Sequence, residues 1–471
     1  MPASIATLVC ACFSFWLVLR DAKRSRTVSA ALWIPVAWAL IIASKPVSLW
    51  FGFVGADAGD GYPQDSMLDK ALFLVLIAAG AAVLVRRRTN WHSVIRANKW
   101  LFIYFAYLGI SVVWADDPFV ALKRWVKDVG NIIMVLIVLT ETDPIAAVKV
   151  LFARCAYLLL PLSVLVIKYF PAISRSYDRW TFQAHYVGVT TNKNVFGMTL
   201  FILALGLCWM FLDLRNAAGS KRDKGTGIVY LVLLLMAAWL LHIAQSSTAS
   251  VCTVLGAGVV LVMRFPNVRA KVGRLEIYAA ATAVLVVFLQ VSGLWAWMTA
   301  GFAQLVGRDP SFHGRTAIWA ALLKQDIDPL LGAGYYSFWS VARAQKISAQ
   351  YYYTLNEAHN GYLETYLNSG LIGLVLLIVV IVFAAKRIKR EVLTGTSYAA
   401  LCLAFLFTAL FYAISEAIFN RLSLLWFVLL LVMFDYPRAL RKAPAETRSR
   451  ANLNLDREPV ASPIASAAER I

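Results

Sequence analysis

Apolar runs of about 15–22 residues recur along the chain, separated by short polar stretches. A helix rises about 1.5 Å per residue, so one such run crosses the roughly 30 Å hydrocarbon core of a bilayer. Segments at 4–19, 30–50, 70–85, 100–114, 126–140, 148–168, 194–212, 227–244, 248–264, 276–293, 362–385, 397–414 and 421–436 qualify, the first and fifth being the weakest. The pattern predicts an all-α fold, a polytopic helical membrane bundle of about 12–13 spans with one larger outward-facing helical loop. It divides the chain into N-terminal spans over 1–293, a loop over 294–361, C-terminal spans over 362–436 and a disordered tail over 437–471.

Charge orients the bundle. Arg20, Lys23, Arg24 and Arg26 follow the first run, Asp57, Asp60 and Asp65 follow the second, and Arg86, Arg87, Arg88, Arg96 and Lys99 follow the third. Later basic clusters at 215–224, 264–274 and 386–390 fall on the same side as the first. Cytoplasmic loops concentrate Lys and Arg, so these clusters and the basic tail are expected in the cytoplasm and the 294–361 loop on the outward side. That loop reads as a lid or wall: a short helix at 315–325, a break at Gly332-Ala333-Gly334, and Asn356 as a cap for the helix that follows.

Composition narrows the class. Apolar residues make up 60% and charged residues 15% of 471, with a mean hydropathy of +0.68, which excludes a soluble enzyme, a disordered chain and a disulfide scaffold. The run lengths exclude a β-barrel. The formal charge of +19 would suit nucleic acid, but the basic residues lie between apolar runs, so the lipid bilayer is the expected partner and nucleic acid is not. All six cysteines lie inside apolar runs and read as small hydrophobes.

Basic residues that break the orientation rule point to chemistry. Lys45, Arg124, Lys168, Arg175, Arg179, Lys193, Arg308, Arg315, Arg343 and Arg421 are among those expected at or near the outer face. Ionisable groups at membrane depth are costly, and an outward cluster of cations suits a lipid-linked phosphate, although any one of them could simply snorkel to headgroups. His359 sits where the large loop meets the next span. A histidine titrating near 6.5 can accept a proton from a sugar hydroxyl at neutral pH, though a lone one is more often a structural hydrogen bonder. On a continuous helix His359, Tyr362 and Tyr366 would share a face. Glu357, Glu364 and Glu416 are alternative bases or sugar binders, each more readily explained as a solvated helix residue. Tyr335, Tyr336, Trp339 and Tyr351–Tyr353 offer flat faces to sugars. Asp326-Ile327-Asp328 spells a DxD cation site but precedes Pro329, where short acids make turns, so no metal is expected.

Three stretches carry a resemblance. His359-Asn360, nine residues, then Gly370-Leu371-Ile372-Gly373 resembles the H[NSQ]-x9-G-x-x-G signature of O-antigen ligases. Gly314-Arg315-Thr316-Ala317-Ile318-Trp319 with Pro329–Tyr335 resembles the adjoining stretch of the O-antigen ligase and Wzy-type polymerase superfamily. Thr190–Gly197 is similar to its ExoQ-like exopolysaccharide polymerases. The resemblance implies a metal-independent glycosyltransferase without cofactor, at the periplasmic face of the bacterial inner membrane. It implies an undecaprenyl-pyrophosphate-linked oligosaccharide as donor, and leaves open a chain-length regulating partner. Carried over, Arg315 binds pyrophosphate and His359 activates the acceptor hydroxyl; Arg179 and Lys193 compete for the second cation, and the RX10G spacing of some polymerases is absent. Asn360, Glu364, Tyr362 and Asn192 are the expected substrate contacts. One base and a good leaving group suffice for single displacement, so inversion at the anomeric carbon is expected. A polymerase is the first reading, a ligase transferring glycan to lipid A-core the second. A polysaccharide or lipid transporter is the third, weakened because no repeat is visible.

Overall fold

A computed structural model describes residues 1–25, 27–52, 66–87, 89–177, 183–216, 224–274, 315–349 and 355–435. The fold is all-α and polytopic. In chain order the helices are α1 (Ala3–Arg24), α2 (Trp33–Ile42), α3 (Val47–Trp50), α4 (Met67–Arg86), α5 (Trp91–Ala97), α6 (Lys99–Ile110), α7 (Pro118–Leu139), α8 (Pro144–Tyr169) and α9 (Pro171–Ser174). They continue as α10 (Lys193–Asn216), α11 (Lys224–Ala244), α12 (Ser247–Val262), α13 (Pro266–Val272), α14 (Arg315–Leu322), α15 (Val341–Ser348), α16 (Gly361–Leu393), α17 (Ser397–Tyr412) and α18 (Leu424–Met433). Of these, α1, α4, α8, α10, α11 and α16 are long and apolar enough to cross a membrane, and α12 with α13 forms a pair bent by 110°. Each predicted apolar segment but one falls on a helix; the remaining one, 276–293, lies outside the described residues, as do the tail and much of the large loop.

Local chemistry sets the helix starts. Asp117 and Asp143 each precede a proline and accept from the third backbone N–H beyond, Val120 N at 3.0 Å and Ala146 N at 3.2 Å. Proline at the first helical position gives up a donor that has no partner there anyway. The bundle centre is α8, α10, α17 and α18; every residue of α18 is buried. The outer ring is α1, α4 and α11, whose Leu8, Phe15, Leu74, Ile228 and Leu235 face outward, as lipid-facing helices require.

Two departures from the sequence reading concern the outer end. A small antiparallel ribbon, β1 (Arg175–Tyr177) with β2 (Ala184–Tyr186), stands in the smaller outer loop where no strand was expected. Its three-residue strands are too short for a periodic signal. The large loop carries its own small core: Ile318 and Leu322 of α14, Phe338, Ile347 of α15 and Leu355 pack on Leu367 of α16. It is therefore seated on α16 rather than free.

That seat depends on a break in α16. Gly370 has φ 61° and ψ −167°, a conformation open in practice to glycine alone. The break frees backbone donors of the following turn, and the 329–334 loop supplies acceptors: Leu371 N donates to Pro329 O at 2.9 Å and Ile372 N to Leu330 O at 3.2 Å. Ala333 N returns a bond to Leu367 O at 3.0 Å. A Cβ at Gly370 would lie 2.1 Å from Leu330 O, and one at Gly332 would lie 2.5 Å from Gly370 N. The two glycine-bearing motifs thus meet as one crossing of backbones. Asp328 closes it, its Oδ1 accepting from Leu330 N and Leu331 N, so that acid is a turn former.

Candidate active site

The site lies where the start of α16, the start of α14, the turn between α17 and α18, and the start of α10 come together. Gly361 N donates to Ala413 O at 2.7 Å, tying α16 to the end of α17. Asn360 is the cap of α16, its Oδ1 accepting from Tyr362 N and Leu363 N at 3.0 Å each. Capping puts His359 outside the helix with φ 48°. The shared helical face expected for His359, Tyr362 and Tyr366 is therefore corrected, and so is the cap, which is Asn360 and not Asn356. Both peptide groups of Ala358 are held as well, its N–H by Glu364 Oε2 at 2.9 Å and its carbonyl by Trp319 Nε1 at 2.8 Å.

This strap delivers Glu357 and His359 to an alternating array of charges. His359 Nδ1 lies 2.9 Å from Glu357 Oε1 and 3.4 Å from Glu416 Oε2. Arg421 reaches Glu357 Oε2 at 2.6 Å and Glu364 Oε1 at 3.3 Å. Arg315 reaches Glu416 Oε1 at 3.2 Å and also donates to Ser415 O. Asn194 Nδ2 donates to Glu416 Oε1 at 3.0 Å, and Trp339 Nε1 to Glu364 at 2.9 Å. The three acids, read from sequence as solvated helix residues, are instead paired and mostly buried. Glu357 and Glu416 are not helical at all.

Electrostatics follows from this geometry. Burial alone would lower the affinity of His359 for its proton, but the hydrogen-bonded carboxylates of Glu357 and Glu416 outweigh it and raise its pKa to about 9. Burial pushes the Glu357 carboxyl up, and Arg421, His359 and Arg315 overcome that and bring it down to about 2. The resting imidazole is thus charged at neutral pH. Two carboxylates on Nδ1 favour the imidazolium, so a ring that accepts a proton at Nε2 does so from its neutral form. Nε2 is the ring nitrogen left to meet a ligand. Glu357, His359 and Glu416 offer three ligand atoms within 4.8 Å of one another, a set that could in type hold a divalent ion. Both carboxylates are already paired with guanidinium groups, which an added cation would have to face.

The other predicted residues take lesser places. Glu364 braces the strap and Tyr362 donates to Leu410 O at 3.1 Å, a packing bond toward α17. Asn192 caps α10 through Val195 N at 2.9 Å, and Lys193 Nζ points to His185 Nε2 at 3.3 Å. Arg179, His313, Arg308 and Tyr351–Tyr353 lie outside the described residues. Arg343 pairs with Asp116 at 3.0 Å, and Arg124 donates to Tyr336 O, whose ring also lies under the Arg421 guanidinium at 5.7 Å. Of the members, Arg421 was singled out only within the outward set of cations, and Asn194 had no role of its own. Their signals were modest: an outward arginine five residues beyond Glu416, and an asparagine inside the Thr190–Gly197 stretch.

Residues 230–378, which include Arg315, His359 and the Gly370 break, match the family Wzy_C, described as O-antigen ligase. The chain is also 25% identical over 310 residues to the exopolysaccharide production protein ExoQ of Rhizobium meliloti (strain 1021). That similarity covers 62% of this chain and 66% of ExoQ, just under two thirds of the relative's length. Glu416, Arg421 and Asn194 fall beyond the family match, although they complete the site in space.

Proposed function

We propose that this chain, a member of the O-antigen ligase and Wzy-type, ExoQ-like family, is a membrane glycosyltransferase that polymerises oligosaccharide repeat units carried on undecaprenyl pyrophosphate. The reaction runs at the periplasmic face of the inner membrane, with the C-terminus in the cytoplasm, and needs no metal. The observation that carries the reading is the cluster of Arg315, Glu416 and His359, a cation suited to pyrophosphate beside an imidazole oriented by carboxylates.

The acceptor hydroxyl attacks the anomeric carbon of the donor, its proton passes to Nε2 of His359 in its neutral form, and the carbon–oxygen bond to phosphate breaks. Undecaprenyl pyrophosphate departs with that electron pair. Arg315 offers a planar fork of donors to the charge that grows on the leaving group. One displacement inverts the anomeric centre. In the resting site Arg315 is engaged by Glu416, so pyrophosphate competes with that carboxylate, and a released Glu416 stays available to His359 Nδ1. Glu357 and Arg421 position the ring. Lys193 and Asn192 are assigned to the rim that receives the rest of the donor, Arg179 remains a candidate for the second cation from sequence alone, and Asn360, Tyr362 and Glu364 are assigned to holding the acceptor side in shape.

The description of the matched family favours one second reading, a ligase with the same chemistry and lipid A-core as acceptor. Cells lacking the gene, complemented with wild type, His359→Ala or Arg315→Ala at equal membrane levels, separate the two. Single lipid-linked repeats accumulating in both variants support the polymerase. Long lipid-linked chains support the ligase, and normal polymer from both variants overturns the enzyme reading in favour of transport.

A further inference from the structure

Midway along α7, about 15 Å from its start, stands a carboxylate that the site described above does not include. Asp128 is 3% exposed, and its hydrogen-bond partners among the described residues are neutral. Trp426 Nε1 of α18 donates to its Oδ1 at 2.7 Å, and Asn131 Nδ2 of α7 does so at 3.1 Å. Tyr335 of the outer loop donates its hydroxyl to Oδ2 at 3.1 Å. Asn131 is in turn held by Trp38 Nε1 of α2 at 2.8 Å. The adjacent Lys127 reaches over the Phe73 ring instead, 5.3 Å from its centroid. A buried carboxylate is costly, and these donors from α7, α18 and the loop offset the cost only while their geometry holds.

Tyr335 carries this arrangement outward. Its one hydroxyl proton stands between two acceptors, Asp128 Oδ2 and, at 3.4 Å, Asn420 O. Asn420 has φ 55°, in the left-handed region, and its Nδ2 donates to Tyr104 Oη of α6 at 2.6 Å. The next residue is Arg421, which bridges Glu357 and Glu364. The Tyr336 ring meets the guanidinium of that arginine. Two consecutive tyrosines therefore bear on the turn that delivers Arg421, Tyr335 on its backbone and Tyr336 on its side chain.

We propose that Asp128 is a positioning residue for the candidate active site: by fixing Tyr335 it fixes the Asn420–Arg421 turn, and with it the guanidinium that faces Glu357 beside His359. This role deepens the reading of His359 as the acceptor's base and rests on it for its effect on the reaction. The charged groups around the ring are Glu357 on the strap, Glu416 and Arg421 between α17 and α18, and Arg315 at the start of α14. Arg421 is a like charge to the imidazolium and a counter-ion to Glu357. A loosened Arg421 leaves more of the Glu357 charge to His359, so the ring keeps its proton to higher pH.

The test follows the proton on His359 itself. Full-length protein in detergent, with nitrogen-15 only in histidine, is titrated by NMR, the His359 signal being the one lost in His359→Gln. Asp128→Leu strands three buried donors and can cost the fold, so Tyr335→Phe is the primary variant: it keeps the ring and both bonds to Asp128 Oδ1. Tyr335→Phe should raise the pKa of His359 by about half a pH unit or more. Asp128→Asn can turn its amide hydrogens to Tyr335 Oη and its oxygen to Trp426 and Asn131, so it should stay near wild type. In an assay of chain growth, kcat/KM of Tyr335→Phe at pH 7 should fall about threefold, with its plateau moved to higher pH. A pKa unmoved in Tyr335→Phe overturns the proposal, whatever happens to stability. So does a pKa lowered in Asp128→Leu, the mark of a distant charge lost and not of an arginine loosened. A raised pKa with an unmoved kinetic plateau upholds the positioning and overturns His359 as the base instead.

Discussion

If His359 Nε2 takes the acceptor proton, the pH dependence of polymerisation is fixed by the carboxylates on its other nitrogen. With a pKa of about 9, only about 1% of the ring is neutral at pH 7. The profile of kcat/KM reports the free enzyme's essential groups, so it should climb close to tenfold per pH unit from 6.5 to 8.5 and level off near 9. Glu357→Gln keeps a hydrogen-bond acceptor 2.9 Å from Nδ1 but removes the charge. The nearer of the two carboxylates supplies the larger share of the rise from 6.5, so the plateau should begin at least about one pH unit lower. At pH 7 the neutral fraction would then be about tenfold larger, partly offset by a weaker base.

The assay is chain growth by membranes or proteoliposomes given a synthetic lipid-pyrophosphate repeat unit, read as initial rate against substrate from pH 5.5 to 9.5. A wild-type profile flat across that range would show that no ring near 9 titrates in the rate. A plateau unmoved in Glu357→Gln would refute His359 as the group that sets it. Glu357 also holds Arg421 at 2.6 Å, so the variant's overall rate can drop; the position of the plateau carries the argument.

Arg315→Lys keeps a charge but loses the fork that fits a diphosphate, and should reduce turnover about a hundredfold or more, close to Arg315→Ala, measured by the same chain-growth assay. Gly370→Ala must enter a backbone region reserved for glycine and meet Leu330 O at 2.1 Å, so it should cost at least about 3 kcal/mol and unseat the outer loop, seen as a lowered unfolding temperature and faster proteolysis between α14 and α16. The pKa of His359 is raised on folding from 6.5 to about 9, so its contribution to stability is fully present below about 6.5 and disappears as pH rises through about 9. Discounted for the ring's 29% exposure, it amounts to roughly 2–3 kcal/mol, and His359→Gln should flatten the fall in thermal stability across that window.

The spans were legible because a bilayer asks one thing of a helix, a long enough run of apolar residues, and asks it locally. The site was legible only in part, and α16 shows why. His359, Asn360, Gly370 and Gly373 could be read as a motif, yet the motif mixes two jobs. His359 faces the chemistry, while Gly370 makes the break that receives Pro329 O and Leu330 O. Spacing alone does not distinguish a reacting group from a hinge. Glu364 and Asn360 show a related limit: read from sequence as substrate contacts, they also have structural jobs that spacing did not reveal, Asn360 capping a helix and Glu364 supporting the strap. Asn194, and the pairing of Arg421 with Glu357, were out of reach because these residues join the site from elements far from their partners in sequence, and only packing brings Arg421 to Glu357 and Asn194 to Glu416. A β ribbon of two three-residue strands left no periodic trace.

The resting site is electrically even: Arg315, Arg421 and a charged His359 face Glu357, Glu364 and Glu416. An even site is stable without ligand, because no buried charge is left unmatched. It is also a poor trap for a soluble anion, since every cation is already engaged. If the donor is the proposed lipid-linked pyrophosphate, the membrane sets its local concentration, and it would displace Glu416 from Arg315 by offering two charged oxygens in place of one carboxylate. On that proposal the exchange would leave Glu416 beside His359 Nδ1, strengthening the hold on the imidazolium after proton transfer. Donor binding and stabilisation of the protonated ring would then be coupled through one carboxylate, and the paired resting state would keep the coupling from operating before the donor arrives.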